Sequence, residues 1–257
     1  MSKVVAIFNQ KGGVGKTTTN VNLSACIAKK GKKVCVIDID PQGNTTSGFG
    51  IDKTVLEYSI YDVIVNEVDI NKVIIKTDYE NLDIVPSSVQ LAGAEIELAQ
   101  MEGRENKLRY ALNQIRSEYD YIFIDCPPSL GLLTINSLSA VDGVLIPIQC
   151  EYYALEGVSQ LMNTIQLVKR SINPSLEIEG VVISMFDGRT NLSIQVVDEV
   201  KAYFKGKVYT TIIPRNVRLA EAPSFGQPII YYDEKSKGAE AYVELAEEFL
   251  DFEEDVI

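Results

Sequence analysis

The chain has 257 residues, 46% of them hydrophobic, with no His and a formal net charge of −12. That length suits one large α/β domain or two small ones, and no Pro/Gly/Ser-rich linker divides it, so a single domain over residues 1–257 is expected. The absence of His excludes Ser-His-Asp chemistry and His-ligated metals. What remains is carboxylate, Lys/Arg and Mg²⁺ chemistry.

In chain order, Val4 to Phe8 reads as a buried strand and Thr17 to Lys30 as a helix with Val21, Ala25, Ile27 and Ala28 on its apolar side. Lys33 to Ile39 is a second strand, and Leu82 to Val85 a third, stopped by Pro86. Gln90 to Ser117 reads as helix with a break near Gly103. Tyr119 to Asp125 is a strand ended by Pro127-Pro128, followed by a short helix over Gly131 to Ala140. Strands at Val144 to Ile148, Ile178 to Met185 and Val208 to Ile213 then alternate with helices at Ala154 to Lys169 and Ile194 to Phe204. Gly238 to Phe252 is a terminal helix. Repeated β–α units imply a mostly parallel twisted sheet with helices on both faces, and ligands of such sheets bind beyond the carboxyl ends of the strands.

Smaller signals limit the setting. No apolar run approaches the roughly 20 residues of a membrane helix, and the chain enters its first strand almost at once, so neither a membrane span nor a signal peptide is expected. Cys26, Cys35, Cys126 and Cys150 are scattered without a C-x-x-C pair; Cys26 and Cys35 fall in apolar patterns that suit reduced core thiols. From Asp233 onward there are ten acidic and two basic residues, so the acidity is concentrated at the end and a basic face elsewhere is not excluded.

The densest chemistry lies in Gln10-Lys11-Gly12-Gly13-Val14-Gly15-Lys16-Thr17. This is the phosphate-loop pattern G-x-x-x-x-G-K-[ST] with Gln10 in place of the first Gly and a surplus lysine, Lys11, behind it. Gly residues let backbone N–H groups approach a polyphosphate, and the following helix adds its positive N-terminal end. Lys16 is placed to reach the β- and γ-phosphates, and the Thr17 hydroxyl to ligate Mg²⁺, with Thr18 next in line.

Two strand ends supply acids. In Asp38-Ile39-Asp40-Pro41-Gln42-Gly43-Asn44, Asp38 and Asp40 share one face of an extended backbone, and at least one is expected to position or deprotonate water beside a γ-phosphate. Tyr121-Ile122-Phe123-Ile124-Asp125 is an apolar strand closed by one acid, the Walker B arrangement that holds Mg²⁺ directly or through water.

Taken together, the loop with its early lysine, the D-x-D-P-Q-G-N run and the F-I-D-C-P-P-S-L-G run resemble the deviant-Walker ATPases, and within them the small ParA/Soj-type partition ATPases. Residues Ile213 to Gly226 share the resemblance, which covers essentially the whole chain. It implies that Lys11 reaches across an ATP-dependent homodimer to the partner's phosphates, with Gly12 where the two loops face each other. It implies that Asp40 serves hydrolysis, that Asp125 is the Walker B acid, and that Met185, Pro214, Arg215 and Asn216 surround the adenine. Arg189 and Arg218 match basic positions tied to DNA binding without sequence preference. A ParB-type partner that stimulates hydrolysis and a cytoplasmic, nucleoid-associated location are implied in the same way. The sequence enters its first strand at once, so no N-terminal helix-turn-helix for operator reading is expected.

Three other readings of the same fold compete. A membrane-associated division-positioning relative ends in a basic amphipathic helix, whereas this chain ends in acids that anionic lipid would repel. An electron-transfer ATPase requires cluster cysteines that are lacking. A metabolic ATP-dependent enzyme requires a substrate constellation beyond the phosphate site.

Overall fold

The computed structural model describes residues 2–151 and 154–254. Eight strands, β1 (Lys3–Ile7), β2 (Val34–Asp38), β3 (Ile75–Lys76), β4 (Leu82–Val85), β5 (Tyr121–Asp125), β6 (Gly143–Gln149), β7 (Glu177–Phe186) and β8 (Val208–Pro214), form one sheet in the order β3-β4-β2-β5-β1-β6-β7-β8. All pairs are parallel except the short antiparallel β3–β4 pair at one edge. The helices are α1 (Lys16–Lys29), α2 (Asn44–Gly48), α3 (Ile60–Ile64), α4 (Ala94–Leu98), α5 (Lys107–Ile115), α6 (Leu132–Ala140), α7 (Ala154–Ser171), α8 (Asn191–Phe204), α9 (Val217–Glu221), α10 (Ile229–Tyr232) and α11 (Lys237–Glu254).

The side-chain alternation of the central strands divides the core. Val4 and Ala6 of β1, Cys35 and Ile37 of β2, and Ile122 and Ile124 of β5 face the layer that contains α3 to α8. Val5, Ile7, Val34, Val36, Tyr121 and Phe123 face α1 and α11 on the other side. Strands covered on both faces read as continuous apolar runs, which is why they stand out in the sequence. The register brings Asp38 and Ile7 each opposite Asp125, so the ends of β1, β2 and β5 lie side by side. Strand β1 sits where the chain turns from one half of the sheet to the other, the position at which α/β sheets open a crevice.

The acidic terminal helix is a core element. Leu245, Ala246 and Phe249 are fully buried under the sheet, with Phe249 against Tyr121 and Phe123. Glu248 accepts hydrogen bonds from the Thr210 and Thr211 amides of edge strand β8 at 2.6 and 2.9 Å. The apolar face of α11 is therefore occupied by its own sheet. Residues 255–257, at the end of the acidic run, lie outside the described residues.

One helix expectation is corrected. The stretch Gln90 to Ser117 is not two helices meeting near Gly103: a 3-10 turn over Val89–Gly93 leads into the single turn of α4, and regular helix resumes only at Lys107. One local and one tertiary hydrogen bond to the intervening backbone hold that opening. Arg104 Nη1 donates to the Ala99 carbonyl at 2.6 Å, and Asn136 Nδ2 donates to the Arg104 carbonyl at 2.7 Å.

Candidate phosphate-loop and strand-end site

The loop after β1 folds as a cradle because two of its glycines sit where side-chain-bearing residues are strained. Gly13 and Gly15 have φ of 74° and 89°, and Gly15 caps α1. Gly12 differs: its φ lies outside the left-handed region, and a Cβ built on it meets no atom within 4 Å. Nothing among the described residues of this chain therefore requires glycine there.

Contacts to three elements hold the loop from behind. Asn9 Nδ2 donates to the Pro147 carbonyl of β6 at 2.8 Å, and Asn9 Oδ1 accepts from the Lys11 amide at 3.0 Å. Gln10 Nε2 donates to Thr164 Oγ1 of α7, and Ser184 Oγ of β7 donates to the Val14 carbonyl at 2.7 Å. Lys16, only 7% exposed, donates from Nζ to the Lys11 carbonyl at 3.0 Å. Burial lowers its pKa, and the nearby charges of Asp125, Cys126 and Asp40 oppose that shift. The surplus Lys11 points the other way, to the half-exposed Glu151 just past β6, at 2.6 Å.

The strand-end acids have separate positions. Asp125 Oδ2 accepts from the hydroxyls of Thr17 and Thr45, both at 2.8 Å. Asp38 is fully buried and accepts from the Thr46 amide and hydroxyl at 2.7 and 2.6 Å, which ties β2 to α2. Burial raises the pKa of both acids, and each lies near a further carboxylate; the threonine hydrogen bonds pull the other way. Strand β2 ends at Asp38, so Asp40 follows it in the connection to α2. The Asp40 amide turns back to Asp38 Oδ1 at 3.3 Å, and Asp40 sits in a turn closed by Gly43 N–H to its carbonyl at 2.9 Å. Asp40 Oδ1 accepts from the Gln42 amide, which leaves its Oδ2 without a described partner. Of the two acids, Asp38 is consumed by the framework.

A site for a divalent cation is consistent with these residues. Asp125 Oδ1 is buried and has no hydrogen-bond partner among the described residues, beside the Thr17 hydroxyl. Hard oxygen donors of this kind suit Mg²⁺.

Next to the loop lies a mainly apolar pocket of about 240 Å³, lined by Gly15, Thr18, Met185, Pro214, Arg215 and Asn216 among others. The four positions expected around an adenine are thus gathered in one cavity from the ends of β7 and β8. Met185 has φ of 50°, an unusual conformation for a non-glycine residue. Asn216 caps α9 by accepting from the Arg218 and Leu219 amides. The expected DNA-contact arginines lie on the surface. Arg189 forms a two-point pair with Asp187 at 2.8 and 2.6 Å. Arg218 lies between Glu221 at 2.8 Å and Asp233 at 3.3 Å.

Comparison with known proteins agrees with this geometry. Residues 2–178 match the AAA domain family model. The chain is 61% identical over 248 residues to the sporulation initiation inhibitor protein Soj of Bacillus subtilis (strain 168), which spans 96% of this chain and 98% of that one. The chain belongs to the Soj/ParA family of partitioning ATPases. Chromosome partitioning protein ParA of Myxococcus xanthus (strain DK1622) is 52% identical over 250 residues, covering 97% of this chain and 88% of its own. Among solved structures, cobyrinic acid a,c-diamide synthase from Mycobacterium smegmatis with bound ADP and magnesium superposes with a TM-score of 0.87 at 36% identity, over 100% of this chain and 97% of that one. As a Soj/ParA protein the chain is an ATPase, and its loop, strand-end acids and parallel sheet are those of a P-loop nucleotide hydrolase.

Sequence reasoning missed Asn9, Thr45 and Ser184. Asn9 directly precedes the recognised loop, and Thr45 directly follows the D-x-D-P-Q-G-N run, so adjacency was their only local signal. Ser184 reaches the loop across 170 positions and carries none.

Proposed function

We propose that this ATPase is a Mg-ATP-dependent dimerising switch that binds duplex DNA without sequence preference and segregates chromosome or plasmid DNA with a ParB-type partner. The observation that carries the dimer is the pair Lys11–Gly12. Within one chain the lysine is surplus to the phosphate cradle, and Gly12 answers to no strain and no contact. Both make sense if a second copy packs loop to loop, with Lys11 leaving Glu151 for the partner's phosphates and no side chain at Gly12 to hold the loops apart.

In the cycle we infer, Gly13, Val14, Gly15, Lys16, Thr17 and Thr18 receive the phosphates through backbone amides and the Lys16 ammonium. The base enters the pocket of Met185, Pro214, Arg215 and Asn216. Thr17 and Asp125 would hold Mg²⁺, which neutralises charge developing on the phosphates. Asp40, with one carboxylate oxygen uncommitted, orients and deprotonates the attacking water. Asp38 keeps the Asp40 turn in place through Thr46. Dimerisation then juxtaposes the Arg189 and Arg218 surfaces of two subunits into one DNA face, and the ATP-bound form is nucleoid-associated. Two rival readings fare worse. Helix α11, the last described element, has its apolar side packed on its own sheet and so not free for a lipid surface. The synthase likeness at 36% identity is well below the 61% identity to Soj.

The test is light scattering with a duplex-DNA binding assay, in ATP, ADP and no nucleotide. We expect ATP-dependent dimers that bind DNA of any sequence. Asp40→Ala should remain a DNA-bound dimer, Lys16→Ala should neither dimerise nor bind, and Arg218→Glu should dimerise without binding. Monomers in ATP with no DNA affinity would overturn the proposal.

A further inference from the structure

We propose that Asn9 is a positioning residue for Lys11: it fixes the direction in which the surplus lysine leaves the loop. The inference deepens the dimer reading above and rests on it. Asn9 is buried, 6% exposed, between the end of β1 and β6. Its amide donates to the Pro147 carbonyl and its oxygen accepts the Lys11 N–H. One planar group thus satisfies a buried acceptor of β6 and a loop donor at once, a task that needs a donor and an acceptor on the same short side chain.

The consequence for Lys11 is geometric. The peptide before its Cα is held through the N–H by Asn9, and the peptide after it is held through the carbonyl by Lys16 Nζ. With both flanking peptides fixed, the Cα–Cβ bond of Lys11 has one direction. Once Lys16 turns to a phosphate, the second tether is lost and Asn9 is the hydrogen bond that still orients Lys11. Strand β6 therefore controls this lysine twice: through Pro147 and Asn9 at its backbone, and through Glu151, two residues past the strand, at its ammonium. A lysine that must reach across to a neighbouring subunit gains from such pre-orientation, because fewer conformations are lost on docking.

The experiment compares Asn9→Ala, Asn9→Asp, Lys11→Ala and Thr164→Val with the parent chain. The Asp variant keeps an acceptor for the Lys11 amide but sets a carboxylate against the Pro147 carbonyl, so the bridge is broken at the β6 end. Thr164→Val removes the Gln10 tether, a loop hydrogen bond that does not involve the Lys11 peptide. The readouts are binding of a fluorescent ATP analogue to monomer at low protein concentration, ATP-driven dimerisation by light scattering, kcat and KM for ATP, and thermal melting. Both Asn9 variants should require about tenfold more protein to dimerise and lose about tenfold in kcat, with KM and monomer ATP binding within about threefold of the parent. Thr164→Val, which frees the loop at Gln10 and not at the Lys11 peptide, should change monomer ATP binding and dimerisation by the same factor. Parent-like dimerisation by either Asn9 variant, while Lys11→Ala fails to dimerise, would overturn the inference and leave the dimer reading intact. Normal dimerisation by Lys11→Ala would overturn both. Melting of both Asn9 variants below the assay temperature would make Asn9 a residue of the fold and also overturn the inference.

Discussion

The strand-end site and the Arg218 surface are both charged, yet they are built on different physics. At the strand ends Asp38 and Asp125 are fully buried, and threonine hydroxyls from α1 and α2 donate to one oxygen of each at 2.6–2.8 Å, with Asp125 Oδ1 left without a partner among the described residues. Buried polar groups leave few alternatives, because each unmade hydrogen bond in a low-dielectric site is costly. On the surface, the Arg218 side chain is 54% exposed and shared between two acids, and Arg189 is 86% exposed beside Asp187. Exposed pairs of this kind are weak and easily exchanged. The first region is preformed for one ligand chemistry. Under the proposed function, the second would trade carboxylate for DNA phosphate, at a strength set by salt.

Substitutions should reveal that contrast in graded form. The largest effect is expected for Lys16→Ala, with ATP turnover down by at least about 100-fold in a phosphate-release assay, because a preorganised charge is lost from a buried site. Asp40→Ala should lower hydrolysis by about 100-fold or more while dimers persist in ATP, a split visible by following turnover and light scattering on one sample. Arg218→Glu should weaken DNA binding by tenfold or more and flatten its dependence on salt, since phosphate contacts release counterions. If its salt slope matched that of the parent, the arginine would not be meeting phosphate.

A pH prediction concerns the buried acids alone. Their folded pKa values are raised above the ordinary carboxylate value by burial and by a neighbouring acid. The folded state therefore binds more protons than the unfolded state from about pH 4 up to neutrality, and stability without metal should fall as pH rises through that window. Melting temperatures measured across it should show that slope. Asp38→Asn should reduce the slope, and saturating Mg²⁺ and nucleotide should flatten it by favouring the ionised Asp125. The smallest effect is expected for Glu221→Gln, which frees Arg218 from one partner and should tighten DNA binding by less than about fivefold. A larger gain would mean that the acid guards the surface more strongly than an exposed pair can.

Local sequence carried most of the phosphate site. Lys11, Lys16 and Thr17 lie within eight positions of Gln10, and Asp125 closes an unbroken apolar strand. Ser184 was silent because its partner is 170 positions away, and Asn9 signalled only by adjacency because its β6 partner is 138 positions away. The helix expected over 90–117 failed for a similar reason. Its middle is held open partly by Asn136 of α6, 32 positions from Arg104, and that contact leaves no trace in local periodicity. The acids that hold Arg218 and Arg189 are close in sequence, at Glu221 and Asp187, but nearness alone does not say that a surface pair forms.

Periodicity, the glycine-lysine loop and the order of strands and helices determined by themselves that this chain would fold as a parallel-sheet P-loop ATPase, because hydrophobic pattern and backbone freedom are local properties. Tertiary structure alone decided the division of labour between neighbouring acids. Asp38 and Asp40 are equivalent as letters, but β2 stops between them. Both are buried, but Asp38 accepts from Thr46 of α2 and Asp40 from the Gln42 amide of its own turn, because a buried carboxylate takes whatever donors the packed elements bring to it.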